Sequence, residues 1–193
     1  MKRLILSAVL GLALAGPALA ATYAIDANHT QVHFTYSHFG YSNLSGRLNQ
    51  VTGNFDFDPA DPAKSSIEVS VPMSSLSTGV PKLDSHLSSP DFFDVEKFPT
   101  ANFKSTGVTA TGKNTLDVAG DLTLHGVTRP VVLKVTINSL EPRRGSPAAG
   151  FDAVATIKRS EFGVNRMVPM VPDEVQLHIS METRQPEPEA AAK

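Results

Sequence analysis

The sequence contains no cysteine in its 193 residues. Disulfide bonds and thiol redox chemistry are therefore excluded, and a chain of this size must be held together by its hydrophobic core. Tryptophan is also absent, and tyrosine occurs only three times. Because membrane-spanning β-barrels carry girdles of aromatic residues at both interfaces, this composition disfavours an integral outer-membrane barrel.

Basic residues are not in excess, since 17 Lys and Arg face 19 Asp and Glu and the formal net charge is −2. Removing residues 1–20, which hold two basic and no acidic residues, would make the charge −4. A protein that binds nucleic acid is expected to carry a basic face that neutralises phosphates. The sequence therefore predicts no nucleic-acid partner.

Long apolar runs are confined to the start of the chain. Two basic residues at positions 2 and 3 precede an apolar run over residues 4–15, and an Ala-Leu-Ala site follows at 18–20. This order is typical of a cleaved secretory signal, and the run is shorter than the roughly 20 residues that a transmembrane helix needs. We predict that residues 1–20 are a signal peptide and that the mature protein is periplasmic.

Motifs of common catalytic and metal sites are missing from the sequence. There is no Gly-x-Ser-x-Gly elbow, no His-Glu-x-x-His pair and no glycine-rich phosphate loop. His29 and His33 would lie on one strand face, but about 13 Å apart, which is too far for a shared ion. Asp84, Ser85 and His86 are sequence neighbours, whereas a catalytic triad is defined by its geometry. We therefore predict no catalytic residue, no metal and no cofactor.

What the sequence has in abundance is alternation of apolar and polar residues. Residues 118–124 and 131–137 both alternate, which indicates two strands with one dry and one wet face. Between them, Gly126 accepts a positive backbone angle and Pro130 cannot donate to a ladder. This segment predicts an antiparallel hairpin whose connection runs over five residues, Gly126–Pro130.

Six further segments show the same alternation: residues 31–36, 51–57, 67–73, 103–105, 151–157 and 175–181. Together with the hairpin they make eight strands. Eight one-sided strands in one open sheet would expose an apolar face, so they must close into a barrel or fold into a sandwich. Of the two we favour the barrel, and the sequence predicts an all-β, eight-stranded antiparallel barrel.

Residues 77–99 interrupt the β pattern. Val80, Leu83 and Leu87 follow helical spacing, which predicts a short helical insertion opening near Thr78 or Gly79. Ser89 before a proline indicates a further helix start. Two polar segments are predicted to lack regular structure: a mobile loop over residues 141–150 and a disordered tail over residues 184–193.

Four segments resemble the YceI-like polyisoprenoid-binding family. They are residues 23–40 (YAIDANHTQVHFTYSHFG), 83–103 (LDSHLSSPDFFDVEKFPTANF), 120–133 (GDLTLHGVTRPVVL) and 158–165 (KRSEFGVN). The resemblance implies that residues 21–183 form an extended, lipocalin-like barrel that holds an isoprenoid lipid, such as a polyisoprenoid or an isoprenoid quinone. Because the chain has no tryptophan, it lacks the Gly-x-Trp signature of true lipocalins. Some family members are encoded beside membrane cytochromes, so the resemblance also suggests transient contact with a membrane or such a cytochrome. Whether the protein forms a homodimer is left open.

A barrel that accepts a prenyl chain needs an apolar inner face. The candidate interior residues are Phe34, Tyr36, Phe55, Phe57, Val69, Val71, Phe103, Leu122, Leu124, Leu133 and Val135. The insertion supplies candidates for a mouth that closes over the ligand and meets its head group, namely Leu83, His86, Leu87, Phe92 and Phe93. Asp84 and Asp91 are weaker head-group candidates.

The alternative is that these side chains only fill a core. The protein would then be a stress-response or interaction protein with a filled barrel and no bound lipid.

Overall fold

The computed structural model describes residues 20–186, so the predicted signal peptide apart from Ala20, and the predicted tail beyond Pro186, lie outside the described residues. Within this range ten strands are formed: β1 Ala21–Ile25, β2 Gln31–His38, β3 Ser42–Leu48, β4 Thr52–Phe57, β5 Ser66–Pro72, β6 Thr100–Ala110, β7 Thr115–Leu124, β8 Val127–Ser139, β9 Ala148–Lys158 and β10 Glu174–Arg184. The described residues also form one α-helix, α1 Pro81–Ser88, and three short 3₁₀ turns: Pro62–Lys64, Met73–Ser75 and Arg159–Phe162. In this range, none of the helices has the length and apolarity needed to cross a membrane.

The predicted eight-stranded antiparallel barrel is confirmed. Strands β4 to β10 follow one another in the sheet, and β1 pairs with both β4 and β10, so these eight strands form a closed ring. The hairpin of β2 and β3 is joined to the same edge of β10, beside β1. The barrel is therefore a ring with one hairpin attached.

Two of the ten strands, β1 and β3, were not expected from the alternation pattern. β1 has only five residues, and β3 reads SNLSGRL and buries Gly46 where another strand buries a large side chain. A side chain at Gly46 would collide with the ring of Phe34 on the neighbouring strand. The close approach of Phe34 therefore requires glycine at the buried position of β3, and this glycine interrupts the apolar alternation.

The hairpin of β7 and β8 is tighter than predicted. Its connection is the two-residue turn His125–Gly126, whose φ angles of 52° and 74° give a primed turn that matches the twist of paired strands. The expectation of a five-residue connection through Pro130 is wrong, because Pro130 lies within β8 opposite Asp121. β8 pairs with β9 only from Lys134 onward. The missing N–H of Pro130 therefore costs no ladder bond there.

This partial pairing leaves a side opening in the barrel wall between the first half of β8 and the end of β9. Residues 155–158 of β9 pair with β10 alone. The 3₁₀ turn that follows β9 fills the opening with Phe162, which is 1% exposed and packs with Leu124 and Ile157. The carbonyl of Phe162 lies 3.1 Å from Nδ1 of His125 in the hairpin turn. A buried aromatic side chain thus replaces a stretch of ladder.

The helical insertion is confirmed, with α1 beginning at Pro81 rather than near Thr78. The carboxylate of Asp84 accepts hydrogen bonds from the backbone N–H and the hydroxyl of Thr78, both at 2.6 Å, and so fixes the chain that enters the helix. The expectation of a second helix start at Ser89 is wrong. The backbone N–H groups of Phe92 and Asp94 both donate to the Ser89 carbonyl, which folds the chain into turns instead of a helix.

Candidate functional site

The ring of strands encloses a cavity of about 190 Å³. Alternate residues of the ring strands form its wall, and on β7 these residues run from Leu116 to Leu124. At about 3.3 Å per residue this distance is about 26 Å along the strand, or about 20 Å along the axis of a barrel with strands tilted near 40°. The cavity is therefore long and narrow.

The cavity wall is apolar. Among residues 20–186, those that form it carry no charge, and its polar members are Thr30, Ser65, Ser66 and Asn102. A charged ligand group would lose its hydration there without compensation, whereas hydrocarbon would gain. An engineered cavity of about 150 Å³ lined by Leu, Ile and Phe binds benzene. This interior is therefore large enough to take up apolar matter.

Most of the predicted interior residues lie on the cavity wall. These are Phe55, Phe57, Val69, Val71, Phe103, Leu122, Leu124, Leu133 and Val135. Phe34 and Tyr36 lie elsewhere, and their predicted place in the interior is corrected. Both belong to the part of β2 that reaches past the cavity, where Phe34 packs with Leu76 and Leu87 below the helix and the ring of Tyr36 stacks on Phe34.

Sequence reasoning missed the contribution of β9 and β10 to the wall. Their inward residues also line the cavity, namely Phe151, Ala153, Ile157, Leu177, Ile179 and Met181. The alternation of these segments identified the strands and also marked these side chains as inward. The alternation could therefore have predicted these residues as part of the cavity wall.

Different groups of side chains lie at the two ends of the cavity. At one end, Tyr23, Phe55, Phe57 and Phe151 form an aromatic cluster in which the ring of Phe151 stands edge-on to both neighbouring phenylalanines, with centroids 5.3 Å apart. Such edge-to-face pairs add stability beyond that of buried area. The aromatic rings therefore pack against one another across this end of the cavity.

At the other end the helical insertion covers the barrel. Leu83, Leu87, Phe92 and Phe93 pack in one cluster with Phe34, and Leu87 is 7% exposed. Of the predicted mouth residues, these are brought together by the structure. Their contact with a ligand stays a prediction.

The polar candidates at the mouth contact other residues of the protein or lie on its surface. His86 is exposed on α1, and its ring lies 4.8 Å from that of Phe92. Asp84 is engaged by Thr78, as described above, and Asp91 faces Arg166 at 3.6 Å on the surface. A head group that leaves the covered end would therefore meet His86 only outside the cavity.

Arg159 is a buried polar centre that sequence reasoning did not single out. Its guanidinium donates to the carbonyls of Val164, Arg166, Val171 and Pro172 at 2.8–3.1 Å. Burial lowers the pKa of Arg159, and the nearby Asp173 and Tyr36 partly offset that effect. Residues 163–173 are thus folded around one cation. Arg159 belongs to the KRSEFGVN segment (residues 158–165), one of the four segments that resemble the family.

A second group of polar side chains lies outside the barrel, at its aromatic end. Ligand atoms of Asp26, His29 and Glu182 lie within 4.8 Å of one another. Asp26 already bonds to His29 at 3.0 Å, which lowers the pKa of the Asp26 carboxyl, and Glu182 pairs with Arg143. Both carboxylates therefore have cationic or hydrogen-bonding partners within the protein.

Comparison with known proteins agrees with this architecture. The family model described as a YceI-like domain matches residues 23–183. A UPF0312 protein of Pseudomonas savastanoi pv. phaseolicola is 44% identical over 169 residues, which cover 85% of this chain and 88% of that protein. Among solved structures, Burkholderia cenocepacia BcnA is similar with a TM-score of 0.75 and 26% identity, covering 82% of this chain and 98% of that one.

A more distant structure shares the fold alone. It is a polyisoprenoid binding domain from Saccharophagus degradans, with a TM-score of 0.69 and 15% identity over 88% of this chain and 100% of that one. The family resemblance expected from the four sequence segments is confirmed by the match over the whole barrel. The chain belongs to the YceI-like family.

Proposed function

We propose that this protein is a periplasmic carrier that binds an isoprenoid lipid, with the prenyl chain in the barrel cavity. The observation that carries the proposal is the long, uncharged cavity, about 190 Å³ in volume, enclosed by the ring of strands. A chain-like ligand fits a long and narrow space better than a compact one does. The structural likeness to a domain named for polyisoprenoid binding supports the same ligand class.

The energetics of the cavity favour a hydrocarbon chain. Burying one CH₂ group contributes about 0.8 kcal/mol, so the roughly one or two prenyl units that a cavity of this volume holds contribute several kcal/mol toward the cost of ordering the lipid. The wall of valine, leucine and phenylalanine side chains offers no charged group for a head group. The polar head of the lipid is therefore expected outside the cavity, and the protein performs no chemistry on the chain.

The predicted alternative was an interaction protein with a filled barrel. A filled barrel would have a densely packed interior, and the cavity described above gives that function no support. The periplasmic location is supported by the signal-like pattern of residues 1–20. Fractionation of cells, with mass determination of the processed N-terminus, tests that location directly.

Extraction of the purified native protein with organic solvent, followed by mass spectrometry, tests the ligand. We expect a prenyl lipid in roughly stoichiometric amount, or uptake of added isoprenoid quinone by protein that was stripped of lipid. A protein that carries no prenyl lipid and takes up no quinone would disprove the proposal.

A further inference from the structure

Exposed apolar side chains gather at the end of the barrel that the helical insertion covers. In the described part of the chain, Phe39, Tyr41, Met167 and Met170 are among the exposed large hydrophobic residues, and Tyr41 is 92% exposed. Single exposed apolar side chains are normal on a protein surface, so the informative feature is that four of them belong to one end of the barrel. We name these four residues the apolar tips.

The topology places the four tips together. Phe39 and Tyr41 belong to the turn between β2 and β3, and the two methionines belong to the connection that enters β10. β2 and β10 are antiparallel neighbours with Thr35 opposite Gln176. The end of β2 and the start of β10 therefore lie at the same end of the barrel. The ion pair of Asp91 with Arg166 joins the insertion to this end.

The segments that carry the tips lack negative charge. Residues 36–46 and 162–172 contain no Asp or Glu, although the chain has 19 acidic residues. The ionisable groups of these segments besides tyrosine are His38 and Arg166. The tip segments themselves therefore add no repulsion from an anionic surface. The insertion at the same end carries Asp84, Asp91, Asp94 and Glu96 beside Lys82 and Lys97, and Arg166 is paired with Asp91.

We propose that the apolar tips dock the protein on the surface of a lipid bilayer. This inference rests on the proposed function, since an isoprenoid lipid resides in a membrane and has to be collected there. Tyrosine is favoured at membrane interfaces because its ring is apolar and its hydroxyl stays in water, and methionine adapts to irregular surroundings. Docking would bring the covered end of the cavity against the bilayer.

A bilayer fits the arrangement of the tips better than a protein partner does. The four side chains belong to two separate connections, the turn between β2 and β3 and the connection between β9 and β10. A protein partner needs a contiguous, complementary patch, whereas fluid lipid accommodates separate side chains without shape complementarity.

Flotation with vesicles of phosphatidylethanolamine and phosphatidylglycerol tests the docking. The protein is purified after export, and its processed N-terminus is verified. The docking variant carries Tyr41→Ser and Met170→Ser. The matched control carries Leu140→Ser and Val154→Ser, which also remove side chains that are 44% and 48% exposed but lie away from the tips. We expect the wild type and the control to float with the vesicles and the docking variant to partition at least about fivefold less.

The outcomes separate docking from ligand binding. Quinone delivered in detergent should bind to the wild type and the docking variant equally, while uptake from vesicles should slow only in the docking variant. Failure to bind quinone from detergent would count against the proposed function and leave the flotation result interpretable. Docking is overturned if the wild type does not float or if the docking variant floats like the wild type. It is also overturned if the control loses as much, or if binding requires native membranes and their proteins.

Discussion

At the scale of single residues, Arg159 shows how one cation organises a connection of the barrel. Four carbonyls from residues 164–172 accept hydrogen bonds from its guanidinium, and the residue as a whole is 8% exposed. We expect Arg159→Met to lower the free energy of unfolding by about 3 kcal/mol, because it leaves these acceptors without a donor. Arg159→Lys should recover little, since an ammonium cannot reproduce the planar fork. Urea unfolding measures both, with exposed Arg129→Met as the control. Equal losses in Arg159→Met and Arg129→Met would contradict this role.

The neighbouring Asp173 makes a pH-dependent contribution to stability. Burial alone would raise the pKa of its carboxyl, but hydrogen bonds from the backbone and hydroxyl of Ser160, together with the charge of Arg159, bring it below the ordinary value. A lowered folded-state pKa means that the carboxylate stabilises the fold above the unfolded pKa of about 3.9 and loses this effect as the pH falls through the folded value. Asp173→Asn should therefore destabilise the protein at pH 7 and approach the wild type near pH 2. Thermal unfolding across this range tests the expectation, and a constant difference at all pH values would refute it.

At the scale of the elements, Phe162 takes the place of missing strand pairing between β8 and β9. Its side chain is among the most deeply buried, at 1% exposure, and packs with Leu124 and Ile157. Phe162→Ala should cost about 3–5 kcal/mol, since it leaves a void in the barrel wall. Met170→Ala in the following connection, where the side chain is 62% exposed, should change stability by less than about 0.5 kcal/mol. Chemical unfolding of both variants provides the comparison. A cost near that of Met170→Ala would show that the opening is closed by other groups.

The elements also show where sequence patterns succeed and where they stop. Alternation identified the arms of the β7–β8 hairpin because one face of each arm is buried or partly buried, from Leu116 to Leu124 on β7 and from Val131 to Ile137 on β8. It missed β3 because a glycine occupies the buried position. It also overextended the hairpin connection, because a proline normally ends a strand but here lies where β8 has no partner on the β9 side. Both errors arise because the outcome depends on which strand or side chain lies next to the segment, and the sequence of one segment does not specify its neighbours.

At the scale of the whole molecule, closure could be predicted but the cavity could not. One-sided strands must hide their apolar faces, and this requirement limited the fold to a barrel or a sandwich, of which the barrel was favoured. Whether the inward side chains meet at the centre depends on strand tilt and on which strands are neighbours. Phe34 and Phe55 show the same inward pattern in the sequence, yet Phe55 lines the cavity and Phe34 packs under the helix. Facing inward was therefore necessary for a place in the site but not sufficient.

A ligand held inside the whole ring should stabilise the whole fold. A ligand at one hundred times its Kd adds about 2.7 kcal/mol, which corresponds to a rise in Tm of about 5–10 °C for a domain of this size. Leu133→Trp should abolish the rise on addition of isoprenoid quinone, since the indole would fill the cavity that Leu133 lines. Val132→Trp is the matched control, because Val132 is the sequence neighbour of Leu133 and its side chain lies on the outer face of β8, where it is 46% exposed. Scanning calorimetry measures the Tm of each variant with and without quinone. If quinone raises the Tm of both variants equally, the lipid lies outside the ring.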